Sequence, residues 1–402
     1  MLFVATVLGL VAGKVANPYC SASFPSAVTY KKLEEYDLVS VHLMVRYGDR
    51  APLGESLIGS EESSGPATGW KCSPGGISDT NVTIQGMSSM QDIRFNKDGI
   101  CSKDHLTTKG IQQLERLGTE LGQIYKAQLA DGVFVNTTWT QRTYWSAVAL
   151  MSGLLDSKHP KFVIHSKPLE KDGLIHAYNK CKLEKQLSEK VFKTEEFQSA
   201  NASLVKVAKD HGLGVSSHSL WAYMAVDNFR CRDCHQMPLH LSKSDKSAIY
   251  EAMDGFTKAV YFPTSRNARF HRMRIGTYLE DLNQQLQHPT KKGMSRFFYT
   301  SAHDASISAL LSSLDIGITG TPPYASNFII ELWAEKEKGS GLNNVVRFIY
   351  NGKYVHPSWC NRSYCSARAL LSYLHTLGIN ISGNRKGSKE FDFWSECNAQ
   401  QE

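Results

Sequence analysis

The sequence predicts an α/β fold in which a mixed β-sheet is flanked by helices and carries an inserted, mostly helical cap subdomain. Apolar, β-branched runs recur near both ends of the chain, as expected for strands buried on both faces. Amphipathic helical patterns alternate with these runs. Residues 179–274, in contrast, are mostly helical in pattern and richer in Lys and Glu. We therefore expect an α/β domain built from residues 14–178 and 275–402, interrupted by a helical cap subdomain over residues 179–274.

The first half of the expected sheet domain begins with a strand over residues 38–45, which is almost continuously apolar. A threonine within residues 107–110 is expected to cap a helix, because apolar side chains follow it at three- and four-residue spacings. Residues 133–135 predict a further strand, and a second helix is expected to begin near Gln141.

The second half repeats this alternation. Residues 297–300 predict a strand, and a helix is expected over residues 305–314. Two more strands are expected over residues 327–333 and 345–350. The Asn-Gly pair at 351–352 then signals a tight hairpin turn.

Composition narrows the class of partner. The chain has 402 residues and a formal net charge of +7, which favours anionic ligands. Its Lys and Arg residues are scattered and not gathered into runs, which argues against a nucleic-acid groove. A phosphate, sulfate or acidic glycan partner fits this distribution better.

The N-terminal residues 2–13 form an apolar run that is shorter than the ~20 residues needed to cross a membrane. We interpret residues 1–13 as a secretory signal peptide, and a buried first helix or a short anchor is the alternative. No other uninterrupted apolar run reaches membrane-spanning length. After cleavage of the signal peptide we therefore expect no membrane span.

Sequons and cysteines agree with a secretory route, where N-glycans are attached and disulfides persist. Five Asn-x-Ser/Thr sequons are present, at Asn81, Asn136, Asn201, Asn361 and Asn380. The chain also has nine cysteines, whose pairing cannot be deduced from sequence. Because the number is odd, at least one cysteine is unpaired or links two copies into a dimer.

Three segments suit the binding of an anion. Residues 45–52, Val-Arg-Tyr-Gly-Asp-Arg-Ala-Pro, directly follow the first strand, and ligands of open α/β sheets sit at such strand ends. Residues 301–305, Ser-Ala-His-Asp-Ala, follow a second strand. Arg142 falls near the start of a predicted helix, where backbone amides also favour an anion.

These residue types fit phosphoryl transfer, which needs positive donors for the non-bridging oxygens, an in-line nucleophile and an acid for the leaving oxygen. Arg46, Arg50 and Arg142 can supply forked donors. His303 can supply a fourth donor. Asp304 is the candidate leaving-group acid, provided that its neutral form persists at the working pH.

The motifs resemble the signature of the histidine acid phosphatases, Arg-His-Gly-x-Arg-x-Pro followed far downstream by His-Asp. The resemblance covers most of the chain and includes Leu-Thr-Thr-Lys-Gly at 106–110 and Cys-Arg-Asp-Cys-His at 231–235. It implies a phosphoglycerate-mutase-like α/β sheet domain capped by a helical subdomain. The residues that it implies for phosphate binding are Arg46, Arg50, Arg142 and His303, and the implied proton donor is Asp304.

Within this family the chain resembles in particular the members that remove phosphate from xylose in the linkage region of proteoglycans. The implied partner is a phosphorylated sugar or a proteoglycan linkage-region glycan. The implied location is the secretory pathway, either the Golgi lumen or outside the cell. We expect no metal and no organic cofactor, because phosphohistidine chemistry needs neither.

Tyr47 departs from the family pattern, because it stands where the resemblance places the nucleophilic histidine. Histidine attacks through a neutral ring nitrogen near its free pKa of ~6.5, and the phosphoramidate formed is labile. A phenol has a pKa of ~10 and needs activation, and its aryl phosphate would leave more slowly. His42 is a poor substitute, because its odd offset of five residues from Tyr47 points it to the opposite face of the strand.

The segment 231–235 also matches the letters of a c-type haem attachment site, and its cysteines could suggest zinc. Disulfides are the expected use of these cysteines in a secreted chain. Three hypotheses for function follow from the sequence. The first is a catalytically impaired pseudophosphatase that binds phosphate, the second an active phosphomonoesterase with a non-standard nucleophile, and the third an extracellular interaction module with a vestigial pocket.

Overall fold

The computed structural model describes residues 17–53, 70–86, 93–168, 171–174, 181–213, 219–287, 295–317, 320–336, 343–379 and 393–398. The expected signal peptide and the sequon at Asn380 lie outside these residues. The strands are β1 (Tyr36–Arg46), β2 (Val82–Gln85), β3 (Val133–Thr137), β4 (Phe162–Ser166), β5 (Phe297–Ala302), β6 (Asn327–Glu335), β7 (Val345–Tyr350), β8 (Lys353–Val355) and β9 (Cys365–Ser366). The helices are α1 (Thr108–Ile124), α2 (Lys126–Leu129), α3 (Gln141–Leu154), α4 (Lys182–Phe192), α5 (Glu195–Asp210), α6 (Ser219–Cys234), α7 (Lys243–Tyr261), α8 (Ala268–Gln287), α9 (Asp304–Ser313), α10 (Ala367–Thr376) and α11 (Phe393–Asn398).

The strands form one mixed sheet in the order β2-β4-β3-β5-β1-β6-β7-β8, with β9 paired to β7. Neighbouring strands within the group β1 to β5 are parallel. Strands β6, β7 and β8 pair antiparallel with their neighbours. The mixed α/β sheet flanked by helices is therefore confirmed. The predicted strands, the first two helices and the hairpin after β7 are all present, within a few residues of their expected bounds.

Strand β1 lies at the centre of the sheet because both of its faces are apolar. Val41 and Leu43 pack with helices α1 and α3 on one side. Met44 packs on the other side with helices α8, α9 and α10. Parallel pairing with β5 brings Arg46 opposite Ala302, so the two predicted motifs start at the same edge of the sheet.

Helix α1 begins as expected, since the side chain of its N-cap Thr107 accepts a hydrogen bond from the backbone of Gly110. Gly110 lets this helix end approach the arginine loop closely. A Cβ atom placed there would lie 2.2 Å from the carbonyl oxygen of Asp49, which a side chain cannot tolerate. The start of α1 thereby supports the loop that follows β1.

In the described part of residues 179–274 the regular elements are helices. Helices α5, α6 and α7 share a separate apolar core around Phe229. Helix α8 crosses the expected boundary and bends at Ile275, and its later residues Leu279 and Leu282 pack on the sheet. The division into a sheet domain and a helical cap subdomain stays a prediction.

Eight of the nine cysteines form disulfides, which are Cys20–Cys234, Cys72–Cys101, Cys181–Cys397 and Cys360–Cys365. The expectation for the segment 231–235 is thus right for Cys234 and wrong for Cys231, which keeps a free thiol. Cys231 is completely buried on α6, so it cannot link two copies in this fold. None of the described helices is long and apolar enough to cross a membrane.

Candidate active site

The arginine loop, residues 46–50, is fixed by its own backbone. The N–H of Tyr47 donates to the carbonyl of Ala302 at 3.1 Å, and the N–H of Asp49 donates to Oε1 of Gln113 at 2.8 Å. These bonds tie the loop to β5 and to α1. The direction of its side chains is therefore set by rigid elements.

The carboxylate of Asp49 is buried and also holds the loop in place. Its Oδ1 accepts a hydrogen bond from Oγ1 of Thr107 at 2.6 Å and lies 2.5 Å from Nε2 of His235. His235 follows the end of α6, so this contact connects the loop to the helical segment. Asp49 thus positions the loop through its contacts with Thr107 and His235.

The hydroxyl of Tyr47 lies in the middle of the cluster. It is 3.4 Å from Nη2 of Arg46 and 3.3 Å from Nε of Arg50. The guanidinium of Arg142, on the first turn of α3, lies 4.9 Å from the ring centroid. Only 3% of Tyr47 is exposed. The tyrosine therefore fills the space between three arginines.

His303 and Asp304 complete the cluster at the start of α9. The His303 ring meets the Tyr47 ring edge-on, with centroids 5.3 Å apart. Its Nε2 is 2.8 Å from Oγ1 of Thr138, and its Nδ1 is 3.5 Å from Nη2 of Arg142. The structure thus brings together all six residues that the sequence singled out, while their roles stay predictions.

Each arginine is also paired with a carboxylate. Both terminal nitrogens of Arg50 bond to Asp227 of α6, at 2.7 and 3.0 Å, and both residues are buried. Asp227 also pairs with Arg230 one turn later on α6, at 3.0 Å. The sequence motifs did not reveal Asp227 or Arg230, because only the fold brings α6 against the arginine loop.

The other two arginines of the cluster form ion pairs of similar length. Nη2 of Arg46 lies 3.1 Å from Oδ2 of Asp304, and Nη1 of Arg142 lies 2.8 Å from Oδ1 of Asp104. Asp104 is a second acidic residue that the sequence motifs did not reveal. Each arginine expected to hold a phosphate is therefore already paired with a carboxylate of the chain itself, although Asp227 is shared with Arg230.

The arginines change the acidity of the two candidate catalytic groups. Burial by itself would raise the pKa of Tyr47, but the charges of Arg50, Arg46 and Arg142 outweigh burial and leave that pKa below its ordinary value. Burial would also raise the pKa of Asp304, but the charges of Arg46, Arg230 and Arg50 lower it to about 2. This arrangement makes the phenol more acidic than an ordinary tyrosine and keeps the carboxylate ionised.

An ionised Asp304 is poorly suited to donate a proton. With a pKa of about 2, roughly one carboxyl group in a thousand is protonated at pH 5. General acid catalysis by Asp304 would therefore require a bound dianion that shields it from the arginines. In the geometry of the structure the cluster can hold a negative charge, but it lacks a ready acid.

His42 lies away from this cluster. Its Nε2 is 3.1 Å from Oγ of Ser40, and its ring stacks on Phe298 at 4.8 Å. The free thiol of Cys231 lies closer, 3.2 Å from the hydroxyl of Tyr324, but burial raises its pKa to about 12. Neither side chain can replace the missing histidine as nucleophile.

Comparison with known proteins adds independent information. The chain is 26% identical over 373 residues to the Homo sapiens protein 2-phosphoxylose phosphatase 1, covering 81% of this chain and 73% of the relative. It is 23% identical over 381 residues to counting factor 60 of Dictyostelium discoideum, covering 86% of this chain and 87% of the relative.

Solved structures show the same fold. The phytase of Klebsiella sp. ASR1 superposes with a TM-score of 0.58 at 16% identity, covering 85% of this chain and 96% of that chain. A Bifidobacterium longum multiple inositol polyphosphate phosphatase, in complex with inositol hexasulfate, gives a TM-score of 0.58 at 12% identity and covers 89% and 97%. The sequence profile of the histidine phosphatase superfamily (branch 2) matches residues 37–351. Since this match spans most of the chain, the protein belongs to branch 2 of the histidine phosphatase superfamily.

Proposed function

We propose that the protein is a catalytically impaired pseudophosphatase of the secretory pathway, in the Golgi lumen or outside the cell, that binds a phosphorylated sugar of a glycan. The position of the Tyr47 hydroxyl, between Arg46 and Arg50, carries this proposal. A phenol stands where the family's nucleophile would be, and Asp304 is held as an anion. The nucleophile and the proton donor that phosphoryl transfer needs are therefore both weakened, while the arginines expected to bind the anion are kept.

Two observations support the partner and the location. Relatives with the name 2-phosphoxylose phosphatase align over 81% of this chain, which supports a phosphorylated sugar as ligand. Four disulfides support an oxidising compartment, where such bonds persist. Binding requires the ligand's phosphate to displace the Tyr47 ring, because the ring occupies the centre of the cluster.

An active phosphomonoesterase is the second candidate, and the lowered pKa of Tyr47 favours it. A phenolate is a competent oxygen nucleophile when its charge is stabilised. In this version Tyr47 attacks phosphorus, the P–O bond to the sugar breaks, and water then cleaves the phosphotyrosine. Transfer of the proton to the leaving oxygen by Asp304 is the weak step.

Kinetics separates these candidates. The full-length chain is assayed on xylose 2-phosphate and on an aryl phosphate, beside the Tyr47→Phe variant. We expect no turnover above the uncatalysed rate in either protein. Turnover that disappears in Tyr47→Phe, together with a phosphotyrosine trapped at residue 47, would overturn the pseudophosphatase proposal in favour of the active enzyme.

Calorimetry tests the binding half of the proposal. We expect xylose 2-phosphate to bind the full-length protein, and Arg142→Ala to abolish the binding. Arg116→Ala serves as the control, because Arg116 is an exposed arginine on α1, outside the cluster. An absence of binding in the unmodified protein would favour the third hypothesis, a vestigial pocket.

A further inference from the structure

One face of the sheet beside the candidate site carries a groove. It lies between α8 and strands β3, β5 and β1 and is partly open to solvent. Phe134 lines the groove and keeps 37% of its surface exposed, although it belongs to an interior strand of the sheet. The ring therefore offers an apolar surface at the wall of the groove.

The groove contains a sequon of the chain. Asn136 and Phe134 are two residues apart on β3, so both side chains project from the same face of the sheet, and both line the groove. The acceptor sequence is Asn136-Thr137-Thr138. Among the described residues no hydrogen bond to the side-chain amide of Asn136 is formed.

The surroundings of the amide fit a sugar. An N-acetylglucosamine ring presents C–H groups on one face, which pack well against an aromatic ring, and hydroxyl groups at its edge. His165 covers one face of the Phe134 ring, with centroids 4.4 Å apart, and the remaining exposed surface of the ring is the part that the sugar contacts. Thr277 and Gln285 of α8 line the groove opposite and offer hydrogen-bonding groups to the hydroxyls.

We propose that Asn136 carries an N-linked glycan whose first N-acetylglucosamine residue packs on the Phe134 ring inside this groove. The glycan acts as a cover for the part of the sheet that Phe134 occupies. Of the other sequons, Asn81 lies exposed in a turn and Asn361 in an exposed irregular segment, where a glycan would extend freely into solvent. The inference rests on the secretory location that belongs to the proposed function.

The donor of the oligosaccharide is a lipid-linked oligosaccharide diphosphate. Nδ2 of Asn136 forms a bond to C1 of the sugar and loses one proton. The bond between C1 and the diphosphate oxygen breaks, and the lipid diphosphate leaves. Transfer takes place on the extended chain before folding, so the position of Asn136 within a strand is no obstacle.

Glycopeptide mass spectrometry and enzymatic deglycosylation test the proposal. The full-length chain is produced in eukaryotic cells that make only oligomannose glycans, and occupancy is measured at Asn136, Asn81 and Asn361. Endoglycosidase H is then applied to the native and to the denatured protein. In the native protein we expect the enzyme to release the glycan of Asn136 several-fold more slowly than the glycan of Asn81. After denaturation the two glycans should be released equally fast.

Two substitutions of Phe134 distinguish stacking of the sugar on the aromatic ring from general apolar burial of the sugar. Phe134→Leu removes the flat ring but keeps apolar bulk, and we expect it to lose the native protection at Asn136 with full occupancy. Phe134→Tyr keeps the ring and should keep the protection. Each variant's melting curve, compared with that of the unmodified protein, verifies that it is folded.

The outcomes distinguish this inference from the proposed function. An empty Asn136 beside occupied Asn81 or Asn361 overturns the inference and leaves the secretory location intact. Rapid release from native Asn136, at the rate of Asn81, also overturns it. If every sequon is empty, the secretory location itself fails, and the glycan proposal fails with it.

Discussion

The Tyr47 hydroxyl lies 3.3 Å from Nε of Arg50, a side chain whose two terminal nitrogens are already bonded to Asp227. Arg50 therefore has no nitrogen directed at an external ligand in this conformation. The tyrosine and the aspartate together provide the negative or polar groups that a phosphate would otherwise provide. This arrangement explains how buried arginines are tolerated without a bound anion.

Replacing Tyr47 with histidine tests whether the rest of the site is intact. Tyr47→His removes the phenol from the centre and supplies a ring nitrogen as nucleophile. We expect turnover of an aryl phosphate to rise by about 100-fold or more over the unmodified protein, since loss of a nucleophile costs on the order of 10⁶ in kcat in a well-studied hydrolase. Tyr47→Phe, assayed in parallel, should show no gain. A Tyr47→His protein that is folded but inactive would mean that Asp304 or the arginine pairs also block catalysis.

The ionisation of Tyr47 can be observed directly by ultraviolet absorbance. Its pKa is lowered by the arginines, whereas burial raises the pKa of tyrosines such as Tyr125 and Tyr299. As the pH is raised, the first phenolate signal near 295 nm should therefore belong to Tyr47. Tyr47→Phe should remove this first step and leave later ones unchanged. A titration curve that is the same in both proteins would contradict the lowered pKa.

Asp227 should be essential for stability, because it neutralises Arg50 and Arg230 in the protein interior. Asp227→Asn keeps the size of the side chain but leaves two buried guanidinium groups without their counter-charge. We expect a loss of about 3–5 kcal/mol in the free energy of unfolding, measured by urea denaturation.

The control for this loss is Asp210→Asn. Asp210 pairs with Lys206 on the exposed surface of α5. Pairs of this kind contribute about 0.5 kcal/mol. If the two variants lost similar amounts of stability, the buried network around Arg50 would not be the structural element that we describe.

Histidine burial should make the protein sensitive to acid. Burial lowers the pKa of His42 from its ordinary value of 6.5 to about 4. The unfolded chain then binds more protons than the folded chain between these values, so stability falls as the pH falls from about 6.5 and levels off below about 4. The full loss corresponds to about 3 kcal/mol, at 1.36 kcal/mol for each pH unit of the difference.

Unfolding measured from pH 7 to pH 4 checks this expectation. His42→Phe keeps a ring for stacking on Phe298, and it should make the decline with falling pH clearly shallower. It should not abolish the decline, because burial lowers the pKa of His271 to about 4 as well. His159→Gln, at an exposed position, should leave the slope unchanged. An unaltered slope in His42→Phe would show that His42 stays accessible to protons.

Local patterns predicted the elements that position the site. The apolar run before Arg46 predicted a central strand, and the strand before His303 was predicted in the same way. Arg142 was expected near a helix start, and it occupies the second position of α3. These predictions succeed because hydrophobic periodicity and helix capping depend on residues that are close in the chain.

The ion pairs and the disulfide around the site could not be predicted in this way. Asp227 lies 177 residues from Arg50, and the disulfide Cys20–Cys234 joins residues 214 positions apart. Such contacts depend on how α6 packs on the arginine loop. The free state of Cys231 has the same origin, because the packing of α6 places its thiol against Tyr324 and Arg50 in the protein interior.

By itself, the sequence determined the α/β class, the arginine and histidine-aspartate motifs, and the presence of tyrosine where the family resemblance leads us to expect a nucleophilic histidine. These are properties of residue type and local spacing. Only the tertiary structure decided that the Tyr47 ring lies inside the cluster, that each arginine is paired with a carboxylate, and that Asn136 opens into a groove. These relationships arise from the approach of distant segments, whose burial and charge are set by the packed fold.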